Sequence, residues 1–265
     1  MNKIAWATDI HLNFVTLEKC QEFCKGINNL GVDALLLGGD IGDAPSVEFY
    51  LHYLADHIQV PIYFVLGNHD YYKGSIADIR SSIANLCNET SKLTWLTQSA
   101  VVRLSEDTCL VGHDGWSDGR IGDFDKSQVM LNDYKLIREL RGLTKGKRLD
   151  RLHALGDEAA EHFRQVLPHA LEDLKHVIVL THVPPFRDAC WHEGEISSPD
   201  YLPHFSCKAV GDVLRELMAG KTTKMTVLCG HTHSNGNVLI LPNLLVKTGK
   251  AVYGRPGVNE VISLV

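Results

Sequence analysis

Short apolar runs alternate with amphipathic ones along the first third of this chain. Residues 4–8 form an apolar stretch of strand length, and residues 17–30 repeat their apolar positions at helical spacing up to Gly31, a helix stop. Residues 33–37 again have strand character, 47–57 helical character, and 62–66 strand character, with Pro61 at the entrance of the third strand, where a missing N–H is tolerated. This βαβαβ rhythm predicts a parallel sheet with helices on both faces and right-handed crossovers.

Beyond a helix expected over residues 76–87 the pattern changes. Residues 93–96, 101–104 and 108–111 are short, closely spaced apolar runs, which predict antiparallel strands of a second sheet. Residues 112–126 are rich in Gly and Asp and read as a loop; a helical region follows, interrupted near 142–146, and then a long amphipathic helix over 150–174. Strands are expected at 176–180 and 225–229, and the runs 238–241, 244–247 and 258–264 would complete the second sheet. With no internal repeat, low-complexity tract or linker, the reading is α/β, one domain over residues 1–265, with 112–146 as a candidate lid or insertion near the site.

Composition narrows the class. Hydrophobic residues are 45% of the 265 and charged residues 22%, as in soluble globular proteins. A formal charge of −6 argues against a nucleic-acid surface, which needs clustered Lys and Arg. The one dense basic stretch, Lys145, Lys147 and Arg148, reads as a solvated loop. Seven scattered cysteines, an odd number, predict reduced thiols and a cytoplasmic protein; Cys20 and Cys24 read as helix packing. No signal peptide or bilayer-length apolar run is visible, so no membrane association is expected.

Candidate chemistry sits at the ends of the apolar runs. Asp9-Ile10-His11, Gly39-Asp40, Gly67-Asn68-His69-Asp70, Thr181-His182 and Gly230-His231-Thr232-His233 carry metal-ligand side chains, and four of the five directly follow a buried-strand pattern. Strand ends gather at one edge of an α/β sheet, where such folds place their sites. Carboxylates and imidazoles, with one carboxylate shared, suit two adjacent cations. Asn68 can offer a neutral carbonyl oxygen where another carboxylate would over-charge the site. The residue pairs Asp9/His11 and His231/His233 have the spacing that puts both side chains on one side of an extended strand end.

The ordered set D-x-H, G-D, G-N-H-D, T-H and G-H-T-H, spanning residues 9–233, resembles the calcineurin-like metallophosphoesterase family, on its bacterial phosphodiesterase-like branch. The resemblance implies a four-layer α/β sandwich of two mixed β-sheets flanked by helices. It implies one cation held by Asp9, His11, Asp40 and His233, and a second held by Asp40, Asn68, His182 and His231. It further implies His69 as catalytic acid or transition-state stabiliser, with Asp43 orienting it. The reaction expected is hydrolysis of a phosphomonoester or phosphodiester of a small molecule or nucleotide, by water activated between the two metal ions. The ions would be divalent or mixed-valence transition metals, manganese first, with iron, zinc or cobalt as options. His113 and Arg187 are candidate substrate residues, and Phe186, Trp191 and Tyr201 candidate stacking groups. Serine/threonine protein phosphatases of the family carry Arg after the orienting Asp and Glu after G-N-H, whereas here Ala44 and Asp70 stand there. That alternative, and a non-catalytic scaffold of the same fold, are the competing readings; oligomeric state is not readable.

Overall fold

Period-two burial along the central strands decides how the layers stack. The computed structural model describes residues 1–264; Val265, at the end of the expected domain, lies outside the described residues. In β1 (Lys3–Ala7), Ile4 and Trp6 face one way and Ala5 and Ala7 the other, all buried. In β2 (Ala34–Gly38), Ala34 and Leu36 join Ile4 and Trp6, while Leu35 and Leu37 face the opposite core. A strand buried on both faces must be covered on both faces.

The outer cover of the first sheet is α1 (Leu17–Asn29), α2 (Val47–His57) and α3 (Ile76–Glu89), whose apolar stripes pack over Leu35, Leu37 and Phe64. On α1 that stripe is Cys20, Phe23, Cys24 and Ile27, at helical spacing. Parallel strands β3 (Ile62–Val65) and β4 (Leu93–Trp95) extend the sheet on one side. The second sheet contains β5 (Val102–Arg103), β6 (Thr108–His113), β7 (His176–Thr181), β10 (Lys224–Cys229), β11 (Gly236–Leu241) and β12 (Leu244–Thr248), in the order β11-β12-β10-β7-β6-β5. Between β6 and β7 come α4 (Asp133–Leu136) and α5 (Lys145–Asp173). Between β7 and β10 come the hairpin β8 (Trp191–His192) and β9 (Glu195–Ile196), α6 (Leu202–Phe205) and α7 (Lys208–Met218).

α5 and α7 cover the second sheet from outside. Ile4, Trp6 and Leu36 of the first sheet meet Leu110, Ile178, Leu180 and Leu228 of the second in an apolar layer between the sheets. The result is helices, sheet, sheet, helices, the four-layer α/β sandwich expected, with mixed strand directions in both sheets.

Several local expectations are corrected. Helices flank each sheet on its outer face alone, because the inner faces bury one another. Residues 93–95 are a parallel edge of the first sheet, and β6 runs parallel to β7; only β5 pairs antiparallel to β6. The final strand, β13 (Glu260–Ser263), pairs antiparallel with β1 in the first sheet, not the second. Lys145 opens α5 under a Thr144 cap whose hydroxyl accepts from the Lys147 N–H, so the basic stretch is helical and Arg148 is buried. No described helix is long and apolar enough to cross a membrane.

Candidate metal centre

Four loops leaving β1, β2, β7 and β10 meet a fifth leaving β3, and the predicted ligands converge. One donor atom from each of Asp9, His11, Asp40 and His233 lies within 4.8 Å of the others. His233 Nε2 is 3.3 Å from Asp9 Oδ1, and His11 Nε2 is 3.2 Å from His233 Nε2 and 3.8 Å from Asp40 Oδ2. On the other side of Asp40, His182 Nε2 stands 3.4 Å from Oδ1. Asn68 Oδ1 lies 3.0 Å from His182 Nε2 and 3.0 Å from His231 Nδ1. Asp40 therefore stands between two donor clusters.

The backbone is strained to achieve this. Of seven described non-glycine residues with positive φ, five are Asp9, His11, Asp40, His231 and His233. Such conformations cost free energy and persist where the surroundings over-determine them, most often at functional sites. The neighbouring glycines are required sterically: a Cβ on Gly67 would run into Asp40 Oδ1, and one on Gly230 into Asp9 Oδ2. Asp70 locks two of the loops together, accepting the N–H groups of Ile41, Gly42 and Gly67 at 2.8 Å each.

Proton placement tests whether the donor set fits cations. His182 Nδ1 is 2.8 Å from the Gly38 carbonyl and His231 Nε2 is 3.1 Å from the His204 carbonyl. A carbonyl only accepts, so those nitrogens carry the protons and the inward nitrogens present lone pairs. The Asn68 amide is also oriented, because its Nδ2 donates to Asp133 Oδ1 at 2.9 Å and to the Tyr72 hydroxyl at 3.1 Å. Three acceptor atoms thus face one another at hydrogen-bond distance with no hydrogen between them. A bound cation would satisfy all three at once. His11 Nδ1, buried, has no hydrogen-bond partner among the described residues.

Electrostatics agree. Burial, reinforced by neighbouring imidazoles, pushes His11 down to about 3, and burial likewise pushes His231 down to about 3, so both are neutral ligands at ordinary pH. Asp40 is raised well above the carboxylate range by burial and then by the charges of Asp9 and Asp70, the repulsion that bound cations relieve. Burial would raise Asp9 as well, but the His233 hydrogen bond and nearby imidazoles hold it below its usual value. For His233 the order is the same: burial lowers it, and Asp9 more than reverses this.

His69 lines the same cavity of about 290 Å³, with its Nε2 4.0 Å from Asp40 Oδ2 and its backbone N–H on Asp40 Oδ1 at 2.8 Å. Burial first, and the His11 and His182 imidazoles next, press it down to about 2 and keep it neutral. Its ring stacks on Tyr72 with centroids 4.2 Å apart. Asp43, expected to orient it, instead takes the Ser46 hydroxyl at 2.5 Å and the Lys73 ammonium at 2.7 Å, and no hydrogen bond joins it to His69 among the described residues.

The two candidate substrate residues lie elsewhere. His113 is buried beneath the sheet against His162 and Phe163, with Nδ1 accepting from the Gly115 N–H. Arg187 is exposed and outside the cavity lining. Phe186 is buried under Arg215, whereas Tyr201 stacks loosely on His192 at the cavity edge. Several lining residues carried no sequence motif: Asp133, Tyr72, His192, Phe205 and Tyr253. Tyr253 packs 4.5 Å from His11 and 5.0 Å from Phe14, and Phe205 meets His231 edge-on at 5.2 Å. Residues 131–133, from the stretch expected as a lid, form a wall of the cavity held by Tyr72 and Asn68.

Compared with known families, residues 2–235 match the model of the calcineurin-like phosphoesterases. The chain belongs to that family. It is therefore a metallophosphoesterase, a hydrolase of phosphoric ester bonds, whose family centre holds two divalent metal ions. Among solved structures it resembles a phosphopantetheinyl hydrolase from Mycobacterium tuberculosis, at TM-score 0.70 and 14% identity over 96% of this chain and 90% of that one. It also resembles a dimetal phosphatase from Danio rerio, at TM-score 0.60 and 14% identity over 95% and 88%. At such identity these likenesses show the shared fold. No curated protein matches the chain significantly.

Proposed function

We propose that this phosphoesterase hydrolyses a diester of phosphoric acid with a planar aromatic or nucleoside leaving group, using two manganese ions. The observation that carries the metal reading is the meeting of His182 Nε2, His231 Nδ1 and Asn68 Oδ1 as bare acceptors beside Asp40. Asp9, His11, Asp40 and His233 would hold one ion, and Asp40, Asn68, His182 and His231 the other. Bound there, the pair supplies an activated water near neutral pH and positive charge for the phosphoryl oxygens. An all-oxygen-and-nitrogen donor set, without thiolate, suits manganese, with iron, zinc or cobalt as alternatives.

The chain's own groups do the rest. His69, neutral and braced on Tyr72, offers one ring N–H toward the cavity, where it hydrogen-bonds a phosphoryl oxygen and strengthens as charge builds in the transition state. Phe205 and Leu131 line the cavity with apolar surface that limits water near the reacting bond. Its lining contains no Lys or Arg, which favours the singly charged diester over the doubly charged monoester. Exposed Phe14, Tyr253 and Tyr201 rim the opening, a surface on which a base or aryl ring can stack. A cavity of about 290 Å³ suits a small ester better than a phosphoprotein. Seven free thiols fit a reducing cytoplasm.

Turnover of an aryl phosphodiester and an aryl phosphomonoester by the manganese-loaded protein tests the reading. The diester should be hydrolysed with the higher kcat/KM. Preference for the monoester would overturn the substrate class, and no turnover of either with two ions bound would overturn the catalytic assignment.

A further inference from the structure

A second polar cavity, of about 250 Å³, lies behind the wall of the metal centre, lined by Phe124, Ser127, Gln128, Lys145, Arg148 and His204. Arg148 is only 9% exposed, and among the described residues no ion pair joins it to a carboxylate. Its Nη1 reaches the Met130 sulfur at 3.2 Å and its Nη2 the Leu143 carbonyl at 3.3 Å, both weak partners, while its buried Nε–H has none among the described residues. The guanidinium lies over the Tyr134 ring, 4.4 Å from its centroid. A buried cation without an anion is costly, because desolvation is not repaid by pairing.

Lys145, one turn earlier on α5, brings a second cation to the same cavity. Its Nζ donates to the carbonyls of Asp125 at 2.6 Å and Ser127 at 2.8 Å, and it also forms no ion pair among the described residues. No acidic side chain is among the lining residues. His204 supplies no charge of its own: burial first, then Arg148 and Lys145, push it down to about 4. Its ring is engaged by Ser127 and Tyr134.

We propose that Arg148 and Lys145 form a binding site for a small tetrahedral oxyanion of the phosphate or sulfate type, separate from the metal centre. The cavity volume accommodates such an ion, and a guanidinium on its lining is a group that recognises a tetrahedral oxyanion through its N–H groups. Neighbouring residues line the two cavities, Val129, Met130 and His204 this one and residues 131–133 and Phe205 the metal centre, and the His204 carbonyl that receives the His231 N–H ties the two together. The same chemistry has two sources: a free oxyanion, or a second phosphate carried by the substrate.

Calorimetric titration of manganese-loaded protein with sulfate tests the site. Wild type should show a binding event that Arg148→Met abolishes and that Lys145→Met, at an exposed position, weakens about tenfold, the loss expected for one charge-assisted hydrogen bond. Arg148→Met should also melt at a higher temperature than wild type without sulfate, and lose the sulfate-dependent rise that wild type shows. Should Arg148→Met fail to fold, Lys145→Met decides. Comparing KM for a nucleoside monophosphate ester with and without a second phosphate distinguishes the sources. A gain for the doubly phosphorylated compound, lost in Lys145→Met, makes the occupant part of the substrate; equal values alongside sulfate binding make it a free ion. Sulfate binding that is absent, or unaffected by either substitution, overturns the proposal.

Discussion

Asp133→Leu should weaken one cation and spare the other. The Asp133 carboxylate accepts from Asn68 Nδ2 at 2.9 Å and from the Tyr72 hydroxyl at 2.7 Å, and it is 2% exposed. Leucine keeps the branched shape and removes both acceptor oxygens. Asn68 would then retain a single partner for its NH2 group, the Tyr72 oxygen at 3.1 Å. Its carbonyl would no longer be held toward His182 and His231. A hydrogen bond to a charged acceptor is worth about 1.5–3 kcal/mol. At roughly 1.4 kcal/mol per tenfold, that corresponds to a loss of about 10- to 100-fold in affinity, the range found when the groups that orient metal ligands are removed. The ion served by Asn68, His182 and His231 should weaken by this factor, while the ion served by Asp9, His11 and His233 should bind as in wild type. Asp133→Asn, which keeps one acceptor, should fall between. Manganese titration by calorimetry, with circular dichroism as a folding control, reads the result. Two wild-type affinities in a folded Asp133→Leu protein would refute the claim that Asp133 sets the Asn68 amide.

Three further outcomes are expected. His69→Gln should bind both ions normally and turn over an aryl phosphodiester about a hundredfold more slowly, the loss of one transition-state hydrogen bond; unchanged turnover would remove His69 from the reaction. Tyr253→Ala should raise KM for a nucleoside ester about five- to tenfold, less than the full value of one base stack, and should leave an alkyl ester unaffected; equal effects on both would argue against stacking. Acidification should weaken manganese binding. His233 is raised above its usual value by Asp9 and the shared Asp40 is raised by burial, so protons compete with the ions as pH falls through neutrality. Manganese affinity should therefore decline on acidification, and affinity unchanged from neutral to mildly acid pH would contradict the ligand assignment.

Much of the fold was legible because the strands are short apolar runs followed at once by ligands, and that coupling places the ligands at one sheet edge. Leu35, Leu36 and Leu37, all buried, announce a doubly covered strand. Pairing partners were less legible. Nothing local distinguishes β4 as a parallel edge of the first sheet, or sends β13 back to β1 across 250 residues of chain; these are decided by which apolar face fills the space between sheets. At the site, the donors were readable from residue type and order. Their supports were not, since Asp133, His204 and Tyr72 act through hydrogen bonds or stacking that carry no spacing rule. His113 and Arg187 misled for the converse reason. Each lies near the end of an apolar run, yet His113 is the last residue of β6 and projects into the core beneath α5, and Arg187 projects into solvent.

The most direct test of a shared centre is electron paramagnetic resonance of the protein loaded with manganese, paired with elemental analysis. Two ions per chain showing the spectrum of a magnetically coupled Mn(II) pair, reduced to uncoupled or absent manganese in Asp40→Asn, is the predicted result. Isolated Mn(II) signals at full loading of the wild-type protein would contradict it.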